Sequence, residues 1–458
     1  MLIPAKYLAG IFIPNHVYRY LFSQLFLLSL RQIIFMLQVA LLRQNTEWVK
    51  ERLAVKNFPT PELVDEVIAL DDQRKELTFR YDETQAGINK ASKEIGALMA
   101  SGQKENAEAK KAEVSVLKAG LQPINEELAI VEKKLHDTII QLPNLPSSIV
   151  PEGKLPEENE EVKVWGDEPK LHEGAQPHWE LIKQYDLVNF ELGVKVTGSG
   201  FPVYKNKGAR LQRALISYFL DYNTAAGYTE YIPPYMVNEA TAYGTGQLPD
   251  KEGQMYYMPA DNFYLIPTAE VPVTNLYRDE IVKPAELPIK MTAYTPCFRR
   301  EAGSFGSDVR GLNRVHQFDK IEIVQLVHPD NSYAVLDEMV AHVEQLVQSL
   351  GLKYRMLRLC GGDMSFASAL TYDFEVWSAA QKKWLECSSV SNFESFQTNR
   401  MKIRFKDEKG KTQLLHSLNG SSLALPRIMA ALLENNQTEK GIAIPKVLQP
   451  YFGMDWID

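Results

Sequence analysis

Between Leu63 and Leu135 apolar residues recur at alternating steps of four and three, and this periodicity constrains the fold more than any other feature of the chain. Leu63, Val67, Leu70, Leu77, Tyr81, Ile88, Ile95 and Leu98 form a first series, with Arg74, Thr84 and Ala91 at the skipped positions. After Ser101-Gly102 a second series runs through Val114, Leu117, Leu121, Ile124, Leu128, Val131 and Leu135. A 3.5-residue period keeps one apolar stripe on one side of a helix, and two such helices joined by a turn bury their stripes against each other. The expected product is an antiparallel coiled-coil hairpin over about residues 62–141, an arm roughly 60 Å long at ~1.5 Å per residue. Pro123 lies in the second helix, where it is expected to cause a kink or remove one hydrogen bond.

Such an arm can serve as a dimerisation device, a scaffold or a binding probe. Its total charge does not favour nucleic acid: Glu62–Asp137 holds 11 Lys/Arg against 16 Asp/Glu. The best local basic cluster is Lys104, Lys110, Lys111 and Lys118, with Lys90 and Lys93 on the other helix. Lys111 and Lys118 are seven apart and share a face. The whole chain, at 458 residues, can hold two or three domains, and its net charge of −8 argues against a protein that simply coats nucleic acid. Three cysteines, Cys297, Cys360 and Cys387, show no CxxC spacing. The expectation is therefore no disulfide framework, no structural zinc and a reducing, cytoplasmic setting. Leu21–Leu30 is apolar but too short to span a membrane comfortably. Residues 1–35 are read as upstream sequence ahead of an initiator at Met36, with a weak amphipathic anchor as the physical alternative.

The chemistry concentrates in Tyr294–Ile323, which reads as two strands joined by a long glycine-bearing loop. Alternation in the second strand sends Val315, Gln317, Asp319 and Ile321 to one face and His316, Phe318, Lys320 and Glu322 to the other. In the first, Arg299 and Glu301 are two apart and are expected to share a face. An arginine fork suits phosphate oxygens, an aromatic face suits a purine, and a carboxylate suits an amine. A soluble hairpin with solvated charges fits the same spacing.

Phe298-Arg299-Arg300-Glu301-Ala302-Gly303-Ser304, followed by Arg310 to Glu322, closely resembles the second signature motif of class II aminoacyl-tRNA synthetases in its seryl-tRNA synthetase form. The likeness extends, with gaps, from about Met36 to the C-terminus. It implies an α+β architecture: the N-terminal hairpin plus a catalytic domain built on an antiparallel β-sheet flanked by helices. The expected divisions are 36–145 for an N-terminal tRNA-binding domain, 146–199 for a linker, acid- and proline-rich over Pro151–Glu161, and 200–458 for the catalytic domain. A helix at about Ala209–Tyr222 followed by Gly227–Pro234 resembles the first class II motif, with Pro234 at a homodimer interface. Leu418–Arg427 resembles the third, although Leu425-Pro426 stands where many relatives have small residues.

The resemblance also implies roles. L-serine would be held by Thr268, Ala269, Glu270 and Glu322, with Asn419 and Ser421 reading its hydroxyl. ATP would be held by Arg299, Arg300, Glu301, Phe318, Glu386, Cys387, Ser388, Ser389 and Arg427, with Glu386 and Ser389 also binding Mg2+. Arg299, Glu301 and Arg427 would be the catalytic set. The reaction implied is serine–tRNA ligation: serine attacks the α-phosphate of ATP, and seryl-adenylate then acylates tRNA(Ser), with tRNA(Sec) a further candidate. The hairpin would carry the tRNA contact. Two other readings are a ligase that loads an amino acid onto a carrier protein and a coiled-coil scaffold with a degenerate synthetase domain. Carrier-loading relatives lack the long hairpin, and a degenerate domain would have lost some of Arg299, Glu301, Glu322, Glu386 and Arg427.

Overall fold

The computed structural model describes residues 37–250, 253–301 and 310–458. The reading of residues 1–35 and of Met36 as initiator lies outside them, as do Ala302, Gly303 and Ser304 of the motif. The chain divides into two compact units, Asp65–Gln141 and Met36–Val64 with Leu142–Asp458.

Two short helices, α1 (Val39–Gln44) and α2 (Thr46–Val55), precede the hairpin. The hairpin itself is α3 (Leu63–Ala100) and α4 (Lys104–Ile139). Gly102, at φ +78°, makes the turn in the left-handed region that L side chains avoid. Ile88, Ala91 and Val114 are buried in the seam, with Ile95, Leu117 and Leu121 packed beside them. Lys110 ties the two helices together through Glu94, at 3.2 Å. The helix runs unbroken through Pro123. Seam burial therefore outweighs the missing backbone donor at that position. Ala107, buried on the same stripe, extends the apolar series one step earlier than the larger residues suggest.

Residues 37–64 group with Leu142–Asp458 rather than with the arm. Lys56 explains much of this. Its buried ammonium donates to the carbonyls of Asn144, Phe366 and Ser368 at 3.2, 3.1 and 2.8 Å. Arg52 adds a bond to the Pro146 carbonyl. The acid-rich stretch after Pro151 is only partly linker, because β1 (Glu160–Trp165) adds to the main sheet as an edge strand. Its pattern is exposed throughout, which hides the strand from a periodicity argument.

Onward in the chain come α5 (His178–Gln184), α6 (Asn206–Ala225) and β2 (Thr229–Tyr231). The short α7 (Glu270–Thr274) precedes the central strands β3 (Ile289–Phe298) and β4 (Gln317–Val327). After α8 (Ser332–Ser349) come β5 (Tyr354–Arg358), β6 (Leu370–Ser378), β7 (Lys383–Asn392) and β8 (His416–Ala424). The last long helix is α9 (Leu425–Asn435). The eight strands lie in the order β1-β5-β6-β7-β8-β4-β3-β2. Only β2 pairs parallel to its neighbour; the other pairs are antiparallel. This is the expected α+β class.

Alternation along β4 assigns the two sheet faces. Ile321, Ile323 and Val327 join the large core with α6, α8 and α9. Val324 and Leu326 join a smaller core that includes Ala269 and Val273 of the α7 region. Phe318, Lys320 and Glu322 lie on this second side, as the two-residue period requires. Asp319 points the other way and accepts from Gln212 and Tyr294.

Candidate active site

A cavity of about 630 Å³ opens on the α7 side of the sheet, bordered by β4, β7 and β8 and by the segments flanking β3 and β4. It gathers residues from separate parts of the sequence into one site with two unlike ends.

One end is buried and acidic. Lys320 Nζ lies 2.6 Å from Glu322 Oε2 and donates to Thr268 Oγ1 at 2.8 Å. Their side chains are only 8% and 2% exposed, so the pair is screened little by solvent. Glu270 begins α7 and accepts from Gln397 Nε2. Burial, reinforced by the neighbouring Glu322 carboxylate, pushes Glu270 up to about 7. Glu322 stands opposite Ser421 in the β4–β8 register, and Asn419 lies two residues along on β8. The buried Asn419 side chain faces the Glu270 carboxyl and, with Gln397, works against the upward push of burial there.

The other end is open and carries arginines. Arg299 lies with its guanidinium carbon 5.3 Å from the Phe318 ring centroid and donates to the Pro267 carbonyl. Arg314 pairs with Glu301 at 2.6 Å. Arg427 donates to the backbone carbonyls of Asn313 at 3.0 Å and Glu386 at 2.7 Å, with the Glu386 carboxylate 3.6 Å away. On β6, Asp373 faces Ser389 in the register, and Glu375 faces Glu386. Burial and the Glu386 charge hold Asp373 well above the usual carboxylate range.

The structure alters part of the sequence reading. Arg299 and Glu301 do not share a strand face, because β3 ends at Phe298. Arg300 N and Glu301 N turn instead to Gln254, bonding its carbonyl and its side-chain oxygen, and Glu301 takes φ +48°. Arg299 and Glu301 nonetheless both border the cavity. Arg300 points elsewhere, 6.0 Å from the Tyr256 ring centroid, and Ala269 sits in the small hydrophobic core. Cys387 falls at a bulge where two strand registers meet, and its thiol bonds the Phe374 carbonyl on the large-core side. Burial pushes that thiol far up. Ser388 spends its hydroxyl on the Ser421 carbonyl. These two shape the wall. Pro234 is exposed beyond β2 and does not line the cavity.

Sequence reasoning did not assign Lys320, Arg314, Asn313 or Gln254. Lys320 had a usable signal, since alternation places it beside Phe318 and Glu322. Gln254 had none, as its role depends on a backbone junction some 45 residues later.

Independent comparisons agree with this geometry. The profile of the "tRNA synthetase class II core domain (G, H, P, S and T)" matches residues 256–436, and that of the "Seryl-tRNA synthetase N-terminal domain" matches residues 36–146. The chain is 48% identical to a serine–tRNA ligase of Salinibacter ruber, over 91% of this chain and 98% of that protein. It is 44% identical to one from Methylacidiphilum infernorum, over 92% of this chain and 100% of that protein. Among solved structures, seryl-tRNA synthetase from Pyrococcus horikoshii complexed with ATP superposes with a TM-score of 0.84 at 31% identity, covering 92% of this chain and 99% of that one. The cytoplasmic serine–tRNA ligase of Naegleria fowleri in complex with AMP gives 0.81 at 26% identity, over 92% and 98%. The chain belongs to the seryl-tRNA synthetase family of class II aminoacyl-tRNA synthetases, and its activity is that of a serine–tRNA ligase with ATP as a substrate.

Proposed function

We propose that the two ends of the cavity divide the first step between them, serine at the buried acidic end and ATP at the open arginine end. The observation that carries this is the charge balance of the buried end. Glu270 and Glu322 bring two carboxyl groups to it, and Lys320 is the cation on the cavity wall beside them. A substrate ammonium supplies the missing positive charge, received by Glu322 with Thr268 and Glu270. Asn419 Nδ2 and Ser421 then meet the serine hydroxyl. Alanine would leave these polar groups unmatched, which is the stronger form of substrate discrimination.

At the open end, Arg299 holds the α-phosphate and neutralises the charge that develops there. Phe318 stacks on the adenine, Glu301 accepts from its amine, and Arg427 covers the other face and reaches the terminal phosphate. Reaction follows from placing the serine carboxylate in line with the α-phosphate, so positioning supplies most of the rate. Glu386 and Ser389 offer oxygen donors on the cavity wall, the chemistry that Mg2+ prefers. When bound, the ion would neutralise phosphate charge. Asp373 hydrogen-bonds Ser389 across the strand and its buried Oδ1 has no partner among the described residues, which fits a cation nearby.

In the same reading the arm contacts tRNA(Ser), chiefly by backbone and shape. Lys110 and Lys111 are already engaged by Glu94, Glu113 and Glu108, which leaves Lys90, Lys93, Lys104 and Lys118 as the better phosphate donors. A homodimer through the Pro234 region is supported by the exposure of Ile232 and Met236 on either side. A cytoplasmic location rests on the cysteine usage. Among the described residues no helix is long and apolar enough to cross a membrane. Replacing 65–141 with a short linker tests the division of labour. Serine-dependent ATP–pyrophosphate exchange should persist while tRNA charging is lost; equal charging would remove the arm from recognition.

A further inference from the structure

We propose that His178 and Glu434 are positioning residues for the nucleotide end: through Leu312, Gln381 and Asn313 they hold residues 312–314 and, with them, the Arg427 guanidinium. The inference rests on the reading of Arg427 as an ATP-binding residue. His178 is fully buried at the start of α5. Its Nδ1 lies 2.7 Å from Glu434 Oε1, and its backbone N–H donates to the same oxygen at 2.9 Å. Its Nε2 lies 2.9 Å from the backbone nitrogen of Leu312.

A backbone N–H can only donate, so Nε2 must accept and carries no proton. Nδ1 then holds the ring proton and donates it to Glu434. The imidazole is thus neutral with its tautomer set by its neighbours. Adding a second proton would set two donors against each other at Leu312.

Glu434 reaches the next residue by a parallel route. Gln381 Nε2 donates to Glu434 Oε1 at 2.9 Å, and Gln381 Oε1 accepts from Asn313 Nδ2 at 2.9 Å. Two consecutive residues are therefore fixed from one carboxylate, Leu312 by its backbone and Asn313 by its side chain. The Asn313 carbonyl in turn accepts from Arg427 Nε at 3.0 Å. Arg427 and Glu434 are seven residues apart on α9, two helical turns, so the circuit closes on the helix that carries the arginine.

Glu434 is suited to the part. Burial pushes its carboxyl up, yet donors from His178 and Ser378 bring it below the ordinary range, so it stays an ionised acceptor. Gly311, at φ +65°, shows how close the approach is: a Cβ there would lie 2.4 Å from His178 Nε2. Neither His178 nor Glu434 borders the cavity, whereas Leu312, Asn313, Arg314 and Arg427 all do. A packed, buried network behind the wall suits the purpose, since a displacement of about 1 Å in a positioning group can cost on the order of 100-fold in rate.

Serine-dependent ATP–pyrophosphate exchange on the full chain tests this with His178→Ala, His178→Gln, Gln381→Met and Arg427→Ala. His178→Ala should raise the KM for ATP about tenfold and leave the KM for serine within about twofold. His178→Gln should recover most of that loss, since its Oε1 can accept from Leu312. Gln381→Met, at a half-buried site, should raise the KM for ATP about threefold and decides the matter if His178→Ala does not fold. The inference is overturned if Arg427→Ala raises the KM for ATP while Gln381→Met and His178→Ala do not. It is overturned too if both substrates' KM values rise together. An unchanged KM for ATP in Arg427→Ala would remove the ATP role of that arginine, and this inference with it.

Discussion

The two ends of the cavity use the same kinds of side chain and differ in how deeply those chains are buried. At the open end Arg314–Glu301 and Arg427–Glu386 are ion pairs with side chains 45% and 14%, and 25% and 51%, exposed. Pairs this accessible are worth about 0–1 kcal/mol, so exchanging a carboxylate for a phosphate costs little. At the buried end Lys320–Glu322 is enclosed, and removing one member of such a pair costs about 3–5 kcal/mol. One end is therefore built to change partners and the other to keep its charges in place. That contrast fits the substrates. A triphosphate brings its own large charge and can displace weak pairs, whereas a molecule as small as serine must be recognised by groups already aligned.

The contrast can be broken by substitution. Arg299→Ala should lower the rate of serine-dependent exchange by about 10³-fold, on the order of 4 kcal/mol, with the melting temperature little changed. An enzyme with near-normal exchange would take Arg299 out of the mechanism. Glu322→Gln should reduce kcat/KM for serine by about 10²-fold while the KM for ATP stays within about twofold, and it should also lower the melting temperature because Lys320 loses its buried partner. Equal damage to both substrates would erase the distinction between the ends. Phe318→Ala comes next, raising the KM for ATP about tenfold through lost stacking, with serine unaffected.

How far these residues were legible in advance depends on the range of the interactions that place them. The arm is set by neighbours three and four apart, and its stripe was visible in the residue order down to the turn at Gly102. The alternation that puts Phe318, Lys320 and Glu322 on one face and Asp319 on the other is equally local. Gln254 anchoring Arg300 and Glu301, and Glu160–Trp165 pairing with Tyr354–Arg358, depend on contacts far apart in the chain. No spacing rule predicts them. The family resemblance singled out Glu386 and Arg427, both of which line the cavity, but their mutual pairing belongs to the folded chain.

A smaller effect sharpens the serine end. Glu270 is held at about 7, above the ordinary carboxylate value of 4.5, so the folded chain binds this proton more tightly than the unfolded chain does. Its contribution to stability is full below about 4.5 and is lost as the pH rises through about 7, on the order of 3 kcal/mol in all. Serine binding favours the ionised form, so the KM for serine should rise below about pH 7, by up to about tenfold per unit, as protons compete with the substrate ammonium. Glu270→Gln should flatten that profile. A pH-independent KM for serine in the unsubstituted enzyme would place the ammonium elsewhere.

The most direct measurement is ATP–pyrophosphate exchange with each of the twenty amino acids in turn, on protein beginning at Met36. The charge balance of Glu270, Glu322 and Lys320, together with the hydroxyl-reading pair Asn419 and Ser421, predicts exchange with serine and none with glycine, alanine or any amino acid that lacks a hydroxyl. Comparable exchange with glycine or alanine would contradict it, because those substrates match the charge and present no hydroxyl to Asn419 and Ser421.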